Sequence, residues 1–190
     1  MTTTSTRPPL LGSSTPAADV AAALGDRWVG GEDPYANSLF LPLKQKASRT
    51  KGTEFEKIAE WHLQSLGYQV TRAHSSDYDR LVDTQRVEIK GSFIWAECNT
   101  FRLQQIRLDQ EYDYLIFLAV YPDRVEYYTC THADATAALR VQDDRGRFIH
   151  NQHGGNSVDS GTFFIDDLPE NIPWFKPLAS GFPAPSRPLS

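Results

Sequence analysis

Asp79, Glu88 and Lys90 are the residues of this chain whose types and spacing could do chemistry. They lie in Asp79-Arg80-Leu81-Val82-Asp83-Thr84-Gln85-Arg86-Val87-Glu88-Ile89-Lys90, which reads as a hairpin turning near Asp83-Thr84. Asp79 then falls opposite Glu88 or, after a two-residue shift, opposite Lys90, and either register leaves all three on one face. Asp77, two residues earlier, is a rival for the aspartate position. Val87 and Ile89 alternate with Glu88 and Lys90, so period two sends the apolar pair to a core and the charged pair to the other face. Two carboxylates can hold one or two Mg²⁺ ions, or Mn²⁺ in substitution, with the Ile89 peptide carbonyl as a further ligand. A cation so held polarises a phosphodiester and acidifies a bound water, which Lys90 would orient or help to deprotonate. The competing reading is an exposed hairpin with a cross-strand ion pair, worth less than about 1 kcal/mol.

The elements that must position these residues are legible on both sides. Phe55, Ile58, Ala59, His62, Leu63 and Leu66 form one stripe, predicting a helix over 53–66 that Gly67 stops, with a strand over 68–72 after it. On that helix Glu56 is the carboxylate best aimed at a neighbouring sheet, whereas Glu60 projects outward and Glu54 lies on the opposite margin. Thr53-Glu54-Phe55-Glu56 also fits a capping box, so a cap and a site role both stand open for Glu56. Downstream, 91–95 continues or bends the motif strand, and 101–107 reads as the start of a helix ending before Asp113. Tyr114-Leu115-Ile116-Phe117-Leu118-Ala119-Val120 is a continuous apolar run, expected as the central strand, and Pro122-Asp123 turns it into a strand over 124–130. A helix over 132–140 and a strand over 161–165 follow. The expected class is α/β.

Composition narrows the functional classes. The 190 residues are 40% hydrophobic and 12% aromatic, enough for one real core with appendages. A net charge of -5 argues against nonspecific coating of nucleic acid but not against a metal-dependent enzyme, which spends carboxylates on its cation. Two clusters have local basic character: Lys44, Lys46, Arg49 and Lys51, and the Arg102 and Arg107 pair that brackets Gln104-Gln105. Solvated surface and DNA contact are both open for them. The opening Met1-Thr2-Thr3-Thr4-Ser5-Thr6-Arg7-Pro8-Pro9 lacks the apolar centre of a signal peptide, and no apolar run suits a membrane span, so a cytoplasmic protein is expected. Cys98 and Cys130 form no CxxC pair and read as buried free thiols.

Residues 1–15 are rich in Thr, Ser and Pro and are expected to be a disordered tail, as are 179–190. Between tail and core, residues 16–50 form an N-terminal arm with a short helix over 17–24 and an apolar segment over 38–43, for which core packing and dimerisation both stand open. Near the other end, His150-Asn151-Gln152-His153-Gly154-Gly155-Asn156 is a Gly-rich loop, so His153 is a candidate DNA contact. A zinc site there is weak, because no cysteine or second histidine pair completes it. Trp174-Phe175 reads as core packing rather than base stacking.

Taken together, Lys51-Gly52-Thr53-Glu54-Phe55-Glu56, Gly67-Tyr68-Gln69-Val70-Thr71-Arg72, Asp79 and Glu88-Ile89-Lys90 resemble the PD-(D/E)xK nuclease superfamily. The helix and first strand are similar to those of archaeal Holliday junction resolvases, and the layout to bacterial type II restriction endonucleases, over roughly residues 51–128. The resemblance implies a nuclease domain over 51–178 with a restriction-endonuclease-like core, a central mixed β-sheet flanked by helices. It assigns Asp79 as the motif aspartate, Glu88 as the second acid, Lys90 as the lysine and Glu56 as the helix glutamate. Tyr78 stands where the family has proline. Gln104 or Gln105 would point back at the site, and Arg107, whose fork matches phosphate oxygens, would clamp the backbone. The implied activity is Mg²⁺-dependent hydrolysis of double-stranded DNA by a homodimer. A type II restriction enzyme is preferred because about 100 residues follow Lys90, room for recognition loops and dimer contacts. A junction resolvase or repair nuclease is the alternative within the class, and a nonenzymatic nucleic-acid-binding module that retains the fold is the alternative outside it.

Overall fold

A computed structural model describes residues 33–95, 99–150 and 162–186, nearly all of them in the compact unit 34–190. The N-terminal tail, the 17–24 helix, Cys98, the loop with His153 and residues 187–190 lie outside the described residues. Residues 179–186, expected as part of a disordered tail, are instead packed: Phe182 is buried in the core, the Pro183 carbonyl accepts from the Tyr68 hydroxyl and the Ser186 N–H donates to Asp83 Oδ2. In chain order the elements are α1 (Leu41–Lys44), α2 (Ser48–Ser65), β1 (Val70–Arg72), β2 (Arg80–Val82), β3 (Gln85–Trp95), β4 (Thr100–Arg107), β5 (Tyr114–Val120), β6 (Val125–Thr131), α3 (His132–Leu139), β7 (Thr162–Asp167), β8 (Lys176–Pro177) and α4 (Leu178–Gly181). The sheet runs β1-β2-β3-β5-β6-β8, with β4 joined to β3 and β7 to β4. Among the described residues only β3 and β5 pair in parallel and helices are few, so the described part is an α/β fold built on a mixed sheet.

Burial explains this arrangement. Every residue of β5 after Tyr114 is buried, because β5 lies between β3 and β6 with apolar layers on both faces. Ile116, Leu118 and Val120 join Val87, Ile89 and Phe93 of β3 beneath Phe55, Ala59 and Leu63 of α2. On the opposite face, Leu115, Phe117 and Ala119 meet Phe101, Leu103 and Ile106 of β4, Ala135 and Leu139 of α3, and Phe175. Phe175 stacks on Phe117 within that core, consistent with a packing role for the Trp174-Phe175 pair. Tyr35, fully buried, donates from its hydroxyl to the Val120 carbonyl and ties the segment before α1 to the same sheet.

Two further expectations are corrected. The segment 101–107 is not a helix but strand β4, whose register with β7 shifts between Leu103 and Ile106. The extra residue there, with Gln105 at φ 57, breaks strict alternation, and the resulting uneven apolar spacing of Phe101, Leu103 and Ile106 looks helical in sequence. The main helix begins at Ser48 rather than Thr53. Gly52, a residue that usually marks an element boundary, is carried inside it, and the capping box is not formed: Ala47 is the N-cap, and the Thr53 hydroxyl turns back toward the Arg49 carbonyl. Gly67, at φ 95, ends the helix in the left-handed conformation that favours glycine.

Candidate active site

The hairpin that presents the charged residues closes through Asp83-Thr84, with Asp83 at φ 52. Its register pairs Arg80 with Val87 and Val82 with Gln85, which places Asp79, one step beyond β2, opposite Glu88. Asp79 continues the ladder: its N–H donates to the Val87 carbonyl at 2.9 Å, and its Oδ2 accepts from the Ile89 N–H at 2.7 Å. A residue in a strand points its N–H and C=O to the same edge, so the Ile89 carbonyl faces the edge that Asp79 occupies. Asp77 stands apart from this ladder, half-buried and turned onto Ser75. Position 79, not 77, therefore faces the second acid.

Glu88 is 5% exposed and pairs in register with Leu115, on the face opposite α2. Its Oε1 accepts from the Lys90 ammonium at 2.5 Å. Burial and the neighbouring Glu88 carboxylate push the Asp79 carboxyl up to about 6, against the pull of the Ile89 N–H, Lys90 and Arg80. Two carboxylates crowded at one sheet end, with one ammonium bonded to Glu88, leave a deficit of positive charge. Nearby, the Tyr112 hydroxyl is buried and has no hydrogen-bond partner among the described residues. Burial above all raises its pKa, with the charges of Cys130, Glu88 and Asp109 adding to the effect.

The helix reaches this end of the sheet because of one close approach. A Cβ on Gly91 would lie 2.5 Å from the Phe55 ring, so the absence of a side chain there lets α2 settle onto β3. Glu56, next to Phe55, comes within electrostatic range of Asp79 and Lys90; burial first, then the Asp79 charge, holds its carboxyl above the ordinary range. One of its oxygens, Oε2, is nevertheless engaged by a guanidinium. Arg80, facing α2, donates from Nη1 to Glu56 Oε2 at 2.9 Å and to the Asp79 carbonyl at 2.7 Å, and from Nε to Glu60 Oε2 at 2.9 Å. Arg80 was not visible as a site residue in sequence. The available signal was the i,i+4 spacing of Glu56 and Glu60 on one helix margin, which calls for a cation opposite.

The remaining candidates are placed as follows. Arg107 pairs with Asp109 at the exposed end of β4, close enough to Glu88 and Asp77 to feel their charges. Gln104 and Gln105 are both exposed beside the β4 irregularity. Arg102 is held by Asp166 at 2.8 Å and lies over the Trp95 ring. Lys51 donates to the Lys44 carbonyl, beside α1 rather than the hairpin. Among the described residues no group of three or more His, Cys, Asp or Glu side chains is arranged to hold a metal ion. The donor set for a hard cation is thus two carboxylates and a backbone carbonyl: Asp79 and Glu88, each with one oxygen already engaged, and Ile89. Oxygen ligands of this kind suit Mg²⁺, which keeps several waters and takes one or two carboxylates from the protein.

No family model matches the chain, and no curated protein matches it. Among solved structures it is similar to a bacterial homing endonuclease, I-Ssp6803I, with 14% sequence identity, a TM-score of 0.38 and coverage of 47% of this chain and 68% of that one. No described helix is long and apolar enough to cross a membrane.

Proposed function

We propose that the chain is a Mg²⁺-dependent DNA endonuclease of the PD-(D/E)xK kind, with a restriction-endonuclease-like core, and that it cuts duplex DNA as a type II restriction enzyme does. The observation that carries this reading is the Asp79–Glu88 pair: two carboxylates opposite each other at a sheet end, with the Asp79 carboxyl pushed up to about 6 by burial and by Glu88. Such a pair is stabilised by a cation. Bound Mg²⁺ would supply Lewis-acid polarisation of a phosphodiester and an acidified water. Asp79, held on the Ile89 N–H, and Glu88, held by Lys90, would ligate the cation through their remaining oxygens, with the Ile89 carbonyl as a further ligand. The Lys90 ammonium has N–H bonds beyond the one given to Glu88, and these can orient a water or offset charge on a phosphate oxygen. Arg107, exposed at the same end, would meet the DNA backbone, and the homodimer would cut both strands.

Incubation of supercoiled plasmid with pure protein and Mg²⁺ or Mn²⁺ tests the reading. Cleavage that needs the cation and is lost in Asp79→Ala and Lys90→Ala is expected, with a discrete fragment pattern. Failure to cut duplex, branched or single-stranded DNA with either cation would overturn it.

A further inference from the structure

We propose that Arg80 is a positioning residue that withholds Glu56 from the site, so that the site takes a single divalent cation on Asp79 and Glu88. The inference rests on the metal-dependent reading above. Three carboxylates stand near the Asp79 end of the sheet, and a helix glutamate converging on Asp79 would ordinarily open a second oxygen-lined position. Here a guanidinium is already in place. The Arg80 side chain is 11% exposed, and its Nη1 is shared between Glu56 Oε2 and the Asp79 carbonyl while its Nε holds Glu60. The fork geometry suits this arrangement: one planar group can bind two carboxylates and a carbonyl at once, and its charge persists at every working pH. A second dication beside Glu56 would therefore have to displace a permanent charge that is already hydrogen-bonded there, at short range and in a partly buried setting. The contact to the Asp79 carbonyl has a second effect. It fixes the backbone of Asp79 relative to α2, so the aspartate is aimed by its own neighbour in sequence.

Counting bound Mn²⁺ by electron paramagnetic resonance and calorimetry tests this without reference to cleavage. The wild type is expected to bind one Mn²⁺ per chain, Arg80→Met two, and Arg80→Met with Glu56→Gln one again. Two Mn²⁺ on the wild type would overturn the inference, as would a single Mn²⁺ on an Arg80→Met protein that melts cooperatively. If Arg80→Met does not fold, Glu56→Gln in the wild-type background decides: its affinity for Mn²⁺ should stay within about threefold, whereas a loss of about tenfold or more makes Glu56 a ligand. A folded wild type that binds no Mn²⁺ at all is a different failure, that of the metal-dependent reading itself.

Discussion

Two aspartates serve β3 in the same way and end in opposite electrostatic states. Asp113 Oδ2 accepts from the Arg86 N–H at 2.8 Å, and Asp79 Oδ2 accepts from the Ile89 N–H at 2.7 Å. Around Asp113 the Arg86 guanidinium closes a fork, Nη2 to Oδ1 at 2.9 Å and Nε to Oδ2 at 3.2 Å, and that contact holds the carboxyl below its ordinary range. Around Asp79 the neighbouring side chain is Glu88, and burial together with that charge moves the carboxyl upward. Arg80 is adjacent to Asp79 in sequence, yet its guanidinium is spent on Glu56, Glu60 and the Asp79 carbonyl rather than on the Asp79 carboxylate. The same backbone role is therefore structurally complete at one site and short of a cation at the other. Under the metal-dependent reading proposed above, that shortage is what makes Asp79 a ligand and leaves Asp113 a structural carboxylate.

The largest effect expected to expose this difference is on cleavage. Asp79→Ala and Lys90→Ala should each reduce the rate of plasmid cutting by about 10³-fold or more, in the range that removal of a group acting on the reacting centre produces. Asp113→Asn should leave it within a few-fold. Comparable losses in Asp113→Asn would erase the distinction. Next in size is the response to the cation: at about 100 times its dissociation constant, Mg²⁺ should stabilise the wild type by roughly 2.7 kcal/mol over the same protein in EDTA. The gain should persist in Asp113→Asn and largely disappear in Asp79→Asn, a result that thermal melting reads directly.

The hairpin was legible in the sequence because Val87-Glu88-Ile89-Lys90 alternates cleanly and Asp83-Thr84 makes a turn, and the observed register is the first of the two that this pattern allows. Strand β5 was legible for the same physical reason, an apolar run too continuous to be solvated on either face. What sequence could not show is pairing across distance. Arg80 meets partners 20 and 24 positions away, and nothing local in Asp79-Arg80-Leu81 announces them. Nor does local pattern distinguish a bulge from a helix: one extra residue between Leu103 and Ile106 was enough to mislead the periodicity. Glu56 is the instructive case. Its capping alternative disappears because α2 starts five residues before Thr53, and its nearness to Asp79 depends on α2 packing through Phe55 onto Gly91, neither of which local pattern shows.

Finer effects follow from protonation in the absence of a cation. The folded-state value of Asp79, about 6, lies above its ordinary 3.8, so the folded protein binds the proton more tightly than the unfolded chain does. Stability from this group is intact below about pH 4 and declines as pH rises through about 6. Asp79→Asn, with no charge to bury, should therefore be more stable than the wild type in EDTA above pH 6, by on the order of 2 kcal/mol. Asp113 has the opposite sign. Its value is lowered, so its contribution is present above the ordinary carboxylate range and is lost as pH falls through the depressed one. Asp113→Asn should accordingly destabilise the protein at neutral pH, though by less than about 1 kcal/mol because the ion pair with Arg86 is more than a third exposed on the Arg86 side and screened by solvent. Urea denaturation in EDTA between about pH 5 and 8 measures both variants against the wild type, and shifts of the same sign would mean that the two aspartates are electrostatically alike.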